Sequence, residues 1–509
     1  MTPPETYRPL DIASGVRVNA DRFPGRTAVR QGERSLTYGA MAARMNRVTH
    51  ACLAAGVAAD RPAAIVAGNL PEYFEIVAGA SATGGPIATV NPRQTEGELR
   101  AILEDCEARV VFADPAFEEV IRAAAPAGAE VVVLGEPYEA WIGRASDAEP
   151  GFTPPEWATF AIPYTSGTTG RPKGVCLSHR SRTVSFMTYG SIYGCFSEDD
   201  RFLVTTPLFH GGGFAFPMAT LWLGGEVELM TAPGPEPLAR TIAEGRHSGT
   251  FVVPTQFHGM FDLPAPLRDG LSRHGFRAVI CNAAPLPEET KLEALDRLGE
   301  GVLHETYGST EGGVITNLAP KDMRRKVNCA GRAAVGQRIR LLDDAGRAVP
   351  VGEVGELFSN SAVLFNGYWK RPEETAAGFR DGWFSAGDLA RRDEEGFHYI
   401  VDRKKDMILS GGVNIYPRDI EETLYAHPGV AEAAVVGLPD PRWGEAVCAF
   451  VRATPGAGTD AAAAESILAW CRDRLAPHKR PKEVRFIEAI PRNAAGKVLK
   501  KDLRAAATG

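Results

Sequence analysis

The sequence predicts an α/β protein: a large N-terminal domain of mostly parallel β-sheets flanked by helices, and a small C-terminal α+β unit. Three observations carry that reading. Short apolar, β-rich runs alternate with helical stretches through the first 150 residues, a rhythm that implies parallel sheet. The chain runs to 509 residues, and single cores stop growing near roughly 250–300, so at least two domains are expected. The composition then shifts sharply at Asp402-Arg403-Lys404-Lys405-Asp406, a charge cluster between two apolar runs.

In chain order, Leu36-Thr37-Tyr38 opens a segment where Ala42, Met45, Val48 and Leu53 recur at roughly helical spacing. Pro62 to Ala67 reads as a buried strand. Thr95-Glu96-Gly97-Glu98 is a capping box, with Leu99, Ile102 and Leu103 following on one face. Arg109 to Phe112 and Val131 to Leu134 are further strands, and Arg201 to Pro207 is another. Near the end, Pro417 to Tyr425 reads as a helix with Ile420 and Leu424 on one face, and Ala433 to Gly437 as a strand. Pro441-Arg442-Trp443-Gly444-Glu445 reads as an exposed turn.

Hydrophobic content of 44% and charged content of 23% describe a soluble globular protein. The net charge of −7 and the lack of any long basic block argue against a nucleic-acid partner. The eight cysteines are scattered, without C-x-x-C or zinc spacing, so reduced thiols and a cytoplasmic setting are expected. No signal peptide and no membrane span are expected, because no basic-then-apolar leader and no run of about 18 apolar residues occurs. The oligomeric state is not legible; a homodimer is compatible with the sequence.

The chemistry concentrates in Tyr164-Thr165-Ser166-Gly167-Thr168-Thr169-Gly170-Arg171-Pro172-Lys173-Gly174. Four small hydroxyl residues, three glycines and a lysine lie between the apolar Phe160-Ala161-Ile162-Pro163 and Val175-Cys176-Leu177. Glycines let backbone N–H groups approach an anion, hydroxyls donate and lysine adds a point charge, a set of parts that suits a polyphosphate. Gly174 follows Lys173, so this is not the G-x-x-x-x-G-K-[ST] loop of nucleotide hydrolases. Downstream, Leu208-Phe209-His210-Gly211-Gly212-Gly213 follows a strand, where open α/β sheets bind ligands. In His304-Glu305-Thr306-Tyr307-Gly308-Ser309-Thr310-Glu311-Gly312, Tyr307 offers an aromatic face for a purine, and Thr310 and Glu311 offer hard oxygens for Mg²⁺. Asp388, closing Trp383-Phe384-Ser385-Ala386-Gly387-Asp388, suits ribose hydroxyls.

Together these motifs resemble the adenylate-forming superfamily, which includes acyl-CoA synthetases, peptide-synthetase adenylation domains and luciferases. The resemblance runs from about residue 20 to about residue 503 through five motifs in the family's order. It implies an AMP-forming acid–thiol ligase that uses ATP, Mg²⁺ and coenzyme A, with a boundary between domains 1–402 and 403–509 and a mobile C-terminal domain. The implied catalytic set is Lys497 (in Pro491-Arg492-Asn493-Ala494-Ala495-Gly496-Lys497), Glu311 on the metal, Thr310 at the α-phosphate and His210 beside the acyl pocket. Thr165, Ser166, Gly167, Thr168, Thr169 and Lys173 would cradle phosphates. Ala283, Ala284, Pro285, Glu305, Thr306 and Tyr307 would meet the nucleotide, with Tyr307 on adenine. Asp388 and Arg403 would hold the ribose, and Lys405 would be the hinge. Gly411, Gly412 and Trp443 would line the thiol's path.

Gly211, Gly212, Phe257, Asn282 and Gly308 are the expected acyl pocket. Relatives usually carry glycine at Asn282, and many carry threonine at Ala386. The candidate walls, 209–217 and 251–261, contain no Asp, Glu, Lys or Arg. A substrate ammonium would need a buried carboxylate there, because an unpaired buried charge is very costly. A neutral-tailed acid is therefore expected: fatty, alicyclic or aryl. The run of small residues suggests a roomy pocket. CoA is the expected acceptor; a carrier-protein phosphopantetheine thiol is the alternative.

Overall fold

The computed structural model describes residues 9–165, 172–492 and 498–508. Two large sheets dominate. In the seven-stranded sheet, Thr159–Thr165, Ile87–Val90, Ala63–Val66, Val110–Ala113 and Glu130–Val133 run parallel, as expected for strands joined through helices. Lys173–Ser178 and the short Gly367–Tyr368 extend it antiparallel. The nine-stranded sheet has a parallel centre ordered Leu303–Ser309, Ala278–Cys281, Gly249–Val252, Arg201–Val204, Glu226–Leu229, Thr27–Gln31, with antiparallel edges.

Strand alternation builds the layers. Ala63 and Ile65 face one core, while Ala64 and Val66 face another on the opposite side. The first core is shared by both large sheets and holds the helices Ile12–Arg22, Tyr38–Ala54, Glu72–Ser81, His179–Tyr193 and Gly211–Leu223. The outer face of the seven-stranded sheet is covered by Glu96–Cys106 and Glu118–Ala124, that of the nine-stranded sheet by Pro235–Ala243, Pro254–Phe261 and Glu288–Leu298. The result is five layers, helix–sheet–helix–sheet–helix, and both sheets are buried on both faces, which explains their continuous apolar strands. Each fully buried Val, Leu, Ile or Phe contributes about 1.5–3 kcal/mol.

The capping box at Thr95 forms as predicted: Thr95 Oγ1 accepts from Glu98 N, and Glu98 Oε2 accepts from Thr95 N at 2.9 Å. Ala42, Met45 and Val48 are buried on the helix Tyr38–Ala54, whereas Leu53, expected on the same stripe, faces solvent near the helix end. A six-stranded antiparallel sheet follows, containing Gly355–Asn360, Asp388–Arg392 and His398–Arg403. From Ile408 onward the strands join a separate five-stranded sheet with its own core, covered by Pro417–Tyr425 and Ala461–Arg474. Among the described residues no helix is long and apolar enough to cross a membrane.

Candidate active site

Four neighbouring parallel strands of the nine-stranded sheet deliver their carboxyl ends to one edge. Arg201–Val204 leads to His210, Gly249–Val252 to the helix bearing Phe257, Ala278–Cys281 to Asn282, and Leu303–Ser309 to Thr310 and Glu311. This is the edge where open α/β sheets bind ligands.

Tyr307 donates its hydroxyl to Asp388 Oδ2 at 2.6 Å, and Arg403 Nε lies 3.1 Å from Asp388 Oδ1. Asp388 is buried and so is held at both oxygens. Burial and the neighbouring Asp388 carboxylate push the Tyr307 hydroxyl well above its ordinary range, so it remains a donor. Asp388 and Arg403 are cross-strand partners in the six-stranded sheet, which explains why residues fifteen apart meet.

Glu311 sits just beyond. Its Oε1 accepts from the Tyr368 hydroxyl at 2.9 Å, and its carbonyl accepts from Phe365 N at 2.9 Å. The turn is clamped from behind by buried Arg182, which donates to Thr310 O at 2.6 Å, and by Gln337, which donates to Gly312 O at 3.0 Å. Lys173 opens the strand Lys173–Ser178 and pairs in register with Thr165. Its ammonium lies 5.3 Å over the Tyr368 ring and forms an ion pair with Glu374. A Cβ on Gly174 would lie 2.5 Å from Ile162 Cγ2 and 3.2 Å from Trp369 Cβ, so the Lys-Gly ending reflects lack of room. Ser166, Gly167, Thr168, Thr169 and Lys497 lie outside the described residues.

The expected acyl wall is arranged differently from the expectation. The glycines do not signal empty space. A Cβ on Gly213 would lie 2.0 Å from Pro207 O, and one on Gly212 would lie 2.7 Å from the Phe251 ring. Gly211 alone of the three is loose, with Thr310 Oγ1 at 3.8 Å as nearest neighbour. Gly308 likewise packs against Gly313 O, 2.0 Å from where its Cβ would stand. Phe257 is buried in the outer core against Phe261, with ring centroids 5.6 Å apart, rather than on an open wall. His210 precedes the helix Gly211–Leu223 and packs on the Phe209 ring. The segment leading to it is pinned by Asn69, which donates to Thr206 O and accepts from Leu208 N, both at 2.9 Å. His258 shares a 2.7 Å hydrogen bond with Thr290 of the outer helix Glu288–Leu298, and burial lowers its pKa, with Asp262, Glu432, Arg492 and Glu293 acting on it electrostatically.

Asn282 does not occupy a glycine-like conformation; the positive φ falls on exposed Ala283, at +76°. Asn282 Oδ1 accepts from Ala283 N at 2.6 Å and braces that turn, which leads into Ala284 and Pro285. Glu305 and Thr306 are buried within their strand, and the Thr306 hydroxyl donates to Cys281 O at 3.5 Å, so their side chains face the interior. Burial raises the Glu305 carboxyl to about 7, against the opposing charges of Lys291 and Arg418.

Lys404 Nζ lies 2.8 Å from Asp344 and 3.1 Å from Glu356, both on the six-stranded-sheet side, while Asp406 lies 3.4 Å from Arg504 of the C-terminal unit. Lys405 stands between these two attachments. Gly411 and Gly412 form the two-residue turn between Ile408–Ser410 and Val413–Ile415, with φ of +58° and +79°, as a primed hairpin turn requires. Gly411 N donates to Trp443 O at 2.7 Å, and a Cβ there would lie 2.9 Å from the indole. The three residues expected along the thiol's path are thus neighbours.

Tyr368, Glu374, Arg182 and Asn69 were not singled out from the sequence. The run Gly367-Tyr368-Trp369-Lys370-Arg371-Pro372 could have flagged Tyr368, since an aromatic pair before a helix-starting proline is unusual for a surface loop. Arg182 and Asn69 act across intervals of more than a hundred residues and leave no local signal.

The doubly covered sheets, the anchored Asp388 and the Glu311–Tyr368–Lys173 chain define a nucleotide-dependent α/β enzyme with an appended small domain. Residues 16–369 match the AMP-binding enzyme family and residues 419–497 the AMP-binding enzyme C-terminal domain; the chain belongs to this family, within the adenylate-forming superfamily. It is 36% identical over 484 residues to a feruloyl-CoA synthase of an Amycolatopsis species, covering 94% of this chain and 96% of that one. It is 36% identical over 507 residues to an indoleacetate–CoA ligase of Aromatoleum aromaticum, covering 97% and 98%. The ATP-bound crystal structure of MatB from Rhodopseudomonas palustris superposes with a TM-score of 0.88 at 30% identity, covering 97% of this chain and 98% of that one.

Proposed function

We propose that the chain is an ATP-dependent acyl-CoA synthetase for a neutral-tailed carboxylic acid. One observation carries it: Asp388, held by Tyr307 and Arg403, lies beside a Glu311 carboxylate tied through Tyr368 to the phosphate-loop lysine. On this reading Asp388 is the ribose acceptor and Lys173 the triphosphate cation, and the chain of contacts between them supports one nucleotide site. In the first half-reaction a substrate carboxylate oxygen attacks the α-phosphorus of ATP and the bond to pyrophosphate breaks. Catalysis there is mostly positioning and charge neutralisation. In the second, a thiol attacks the acyl carbon, AMP leaves and the thiol proton passes to solvent.

Lys173 and the adjoining loop would hold the β- and γ-phosphates, Thr310 the α-phosphate, and Lys497 the developing charge between carboxylate and phosphate. Among the described residues no cluster of three metal-ligating side chains exists. Mg²⁺ is usually held by one or two carboxylates plus phosphates and water. Glu311 is the residue that would hold it, and the ion would offset phosphate charge. The attachments of Lys404 and Asp406 to different units support a hinge at Lys405, with the boundary a few residues past the expected 402/403, because Arg403 still pairs with Asp388 in the six-stranded sheet. The packing of Trp443 on Gly411 supports a pantetheine path there.

The candidate walls 209–217 and 251–261, which hold no Asp, Glu, Lys or Arg, support a neutral tail. The relatives named feruloyl-CoA synthase and indoleacetate–CoA ligase direct the choice first to aryl acids. The test is a panel of aryl, alicyclic and fatty acids with MgATP, with and without CoA, following pyrophosphate and acyl-CoA separately. Both products with one tail class are expected. Pyrophosphate without thioester would move the acceptor to a carrier-protein thiol, and no pyrophosphate with any acid would overturn the proposal.

A further inference from the structure

We propose that Glu374 is a resident counter-ion for Lys173, occupying the ammonium until a polyphosphate displaces it, and so sets the affinity for ATP and for released pyrophosphate. This rests on the reading of Lys173 as a triphosphate ligand. A carboxylate is an unexpected neighbour for such a lysine, since it both neutralises the cation and repels the incoming anion. Yet the ion pair is built with care. Glu374 lies on the short helix Pro372–Ala377. The helix is tied to the neighbouring strand by Thr375, whose hydroxyl accepts from Tyr368 N and donates to Arg371 O, both at 2.8 Å. Gly367, at φ +132°, leaves room for the Thr375 side chain, which would lie 2.9 Å from a Cβ.

The competing cation is already engaged. Arg371 Nη2 pairs with Asp105 Oδ1 at 2.7 Å, and its Nε is 3.9 Å from Glu374. Asp105 also accepts from the Tyr164 hydroxyl at 2.7 Å, so one acidic residue braces both the approach to the loop and the segment carrying Glu374. Lys173 is thereby left to Glu374. The Lys173 side chain is 17% exposed and that of Glu374 is 38% exposed. The carboxylate can therefore swing into water when phosphate arrives, while the ammonium stays over the Tyr368 ring. The same exchange run backwards assists pyrophosphate departure: Glu374 re-forms its pair as the product leaves.

The test compares wild type with Glu374→Gln, which keeps size and hydrogen bonding and removes the charge. A half-exposed ion pair shifts binding by a modest factor, so the KM for ATP and the inhibition constant of pyrophosphate should each fall about three- to fivefold, with kcat not raised. Both shifts should shrink at high ionic strength. In a Lys173→Ala background the same substitution should change neither constant, which a purely structural role for Glu374 would not produce. Glu374→Asp, which keeps the charge on a shorter arm, should fall between; it also serves if the glutamine variant melts early. Unchanged or weaker binding of ATP and pyrophosphate in both variants overturns the inference. If the wild-type enzyme releases no pyrophosphate with any acid, the functional reading fails instead, and the two failures are separate observations.

Discussion

Gly213 shows how a residue's meaning depends on what it touches. In sequence it belongs to a run of small residues that suggests a spacious pocket; in the structure the Pro207 carbonyl stands 2.0 Å from where its Cβ would be. Gly213→Ala must therefore move the start of the helix Gly211–Leu223, at a cost on the order of 1–3 kcal/mol. A urea midpoint equal to wild type would show that the helix start gives way freely. At the chemistry, Lys497→Ala is expected to slow acyl-adenylate formation about 10²–10³-fold, the usual loss when one transition-state contact is removed. The same variant, supplied with preformed acyl adenylate, should still make thioester at near the wild-type rate. Equal damage to both half-reactions would remove Lys497 from its specific role.

At the scale of elements, the passage from the strand His398–Arg403 to the hairpin at Ile408 joins two units through few residues. Lys404 is bound to one side and Asp406 to the other. A rotation between half-reactions would concentrate its backbone change at Lys405. Lys405→Pro fixes φ there and is expected to impair thioester formation more than adenylation. Single-turnover rates for each half-reaction decide it: parallel losses would place the hinge elsewhere. Regular elements were legible because their signals are local: the capping box at Thr95, Ile420 and Leu424 on Pro417–Tyr425, and the apolar strand at Ala63–Val66. Leu53 lies on the expected helix but faces solvent, because periodicity cannot show where a helix runs past the edge of its core.

For the molecule as a whole, the C-terminal unit rests on the large one through polar contacts. Arg418 donates to Ile400 O at 2.8 Å, Asn328 donates to Glu422 at 2.6 Å, and Arg418 also acts on buried Glu305. The Glu305 carboxyl stands at about 7 instead of 4.5, raised by burial. Between those values the folded chain keeps a proton that the unfolded chain has released. Stability therefore falls by about 1.4 kcal/mol per pH unit across that window. The contribution is intact below pH 4.5, and its loss is complete above about 7. Glu305→Gln, permanently neutral, should gain on wild type steadily from pH 5 to 7 and hold a constant advantage beyond. Denaturation at pH 5, 6, 7 and 8 checks this, and a difference that does not change with pH would mean that Glu305 is not protonated in the folded state.

What was legible from sequence is the class of fold, the family and the short runs proposed for the nucleotide site: Thr165 to Lys173, Tyr307 to Glu311, and Asp388. Those signals survive because propensity, capping and the close approach of backbone to an anion act over a few residues. Tertiary structure alone decided which partners those groups have. Asp388 meets Tyr307 across 81 residues, Lys173 is neutralised from a helix 201 positions later, and the Thr310–Glu311 turn is clamped by Arg182. It also decided that the pocket glycines reflect close packing rather than empty space. Such pairings depend on how two sheets and a shared helical layer stack, and no local run of residues encodes that.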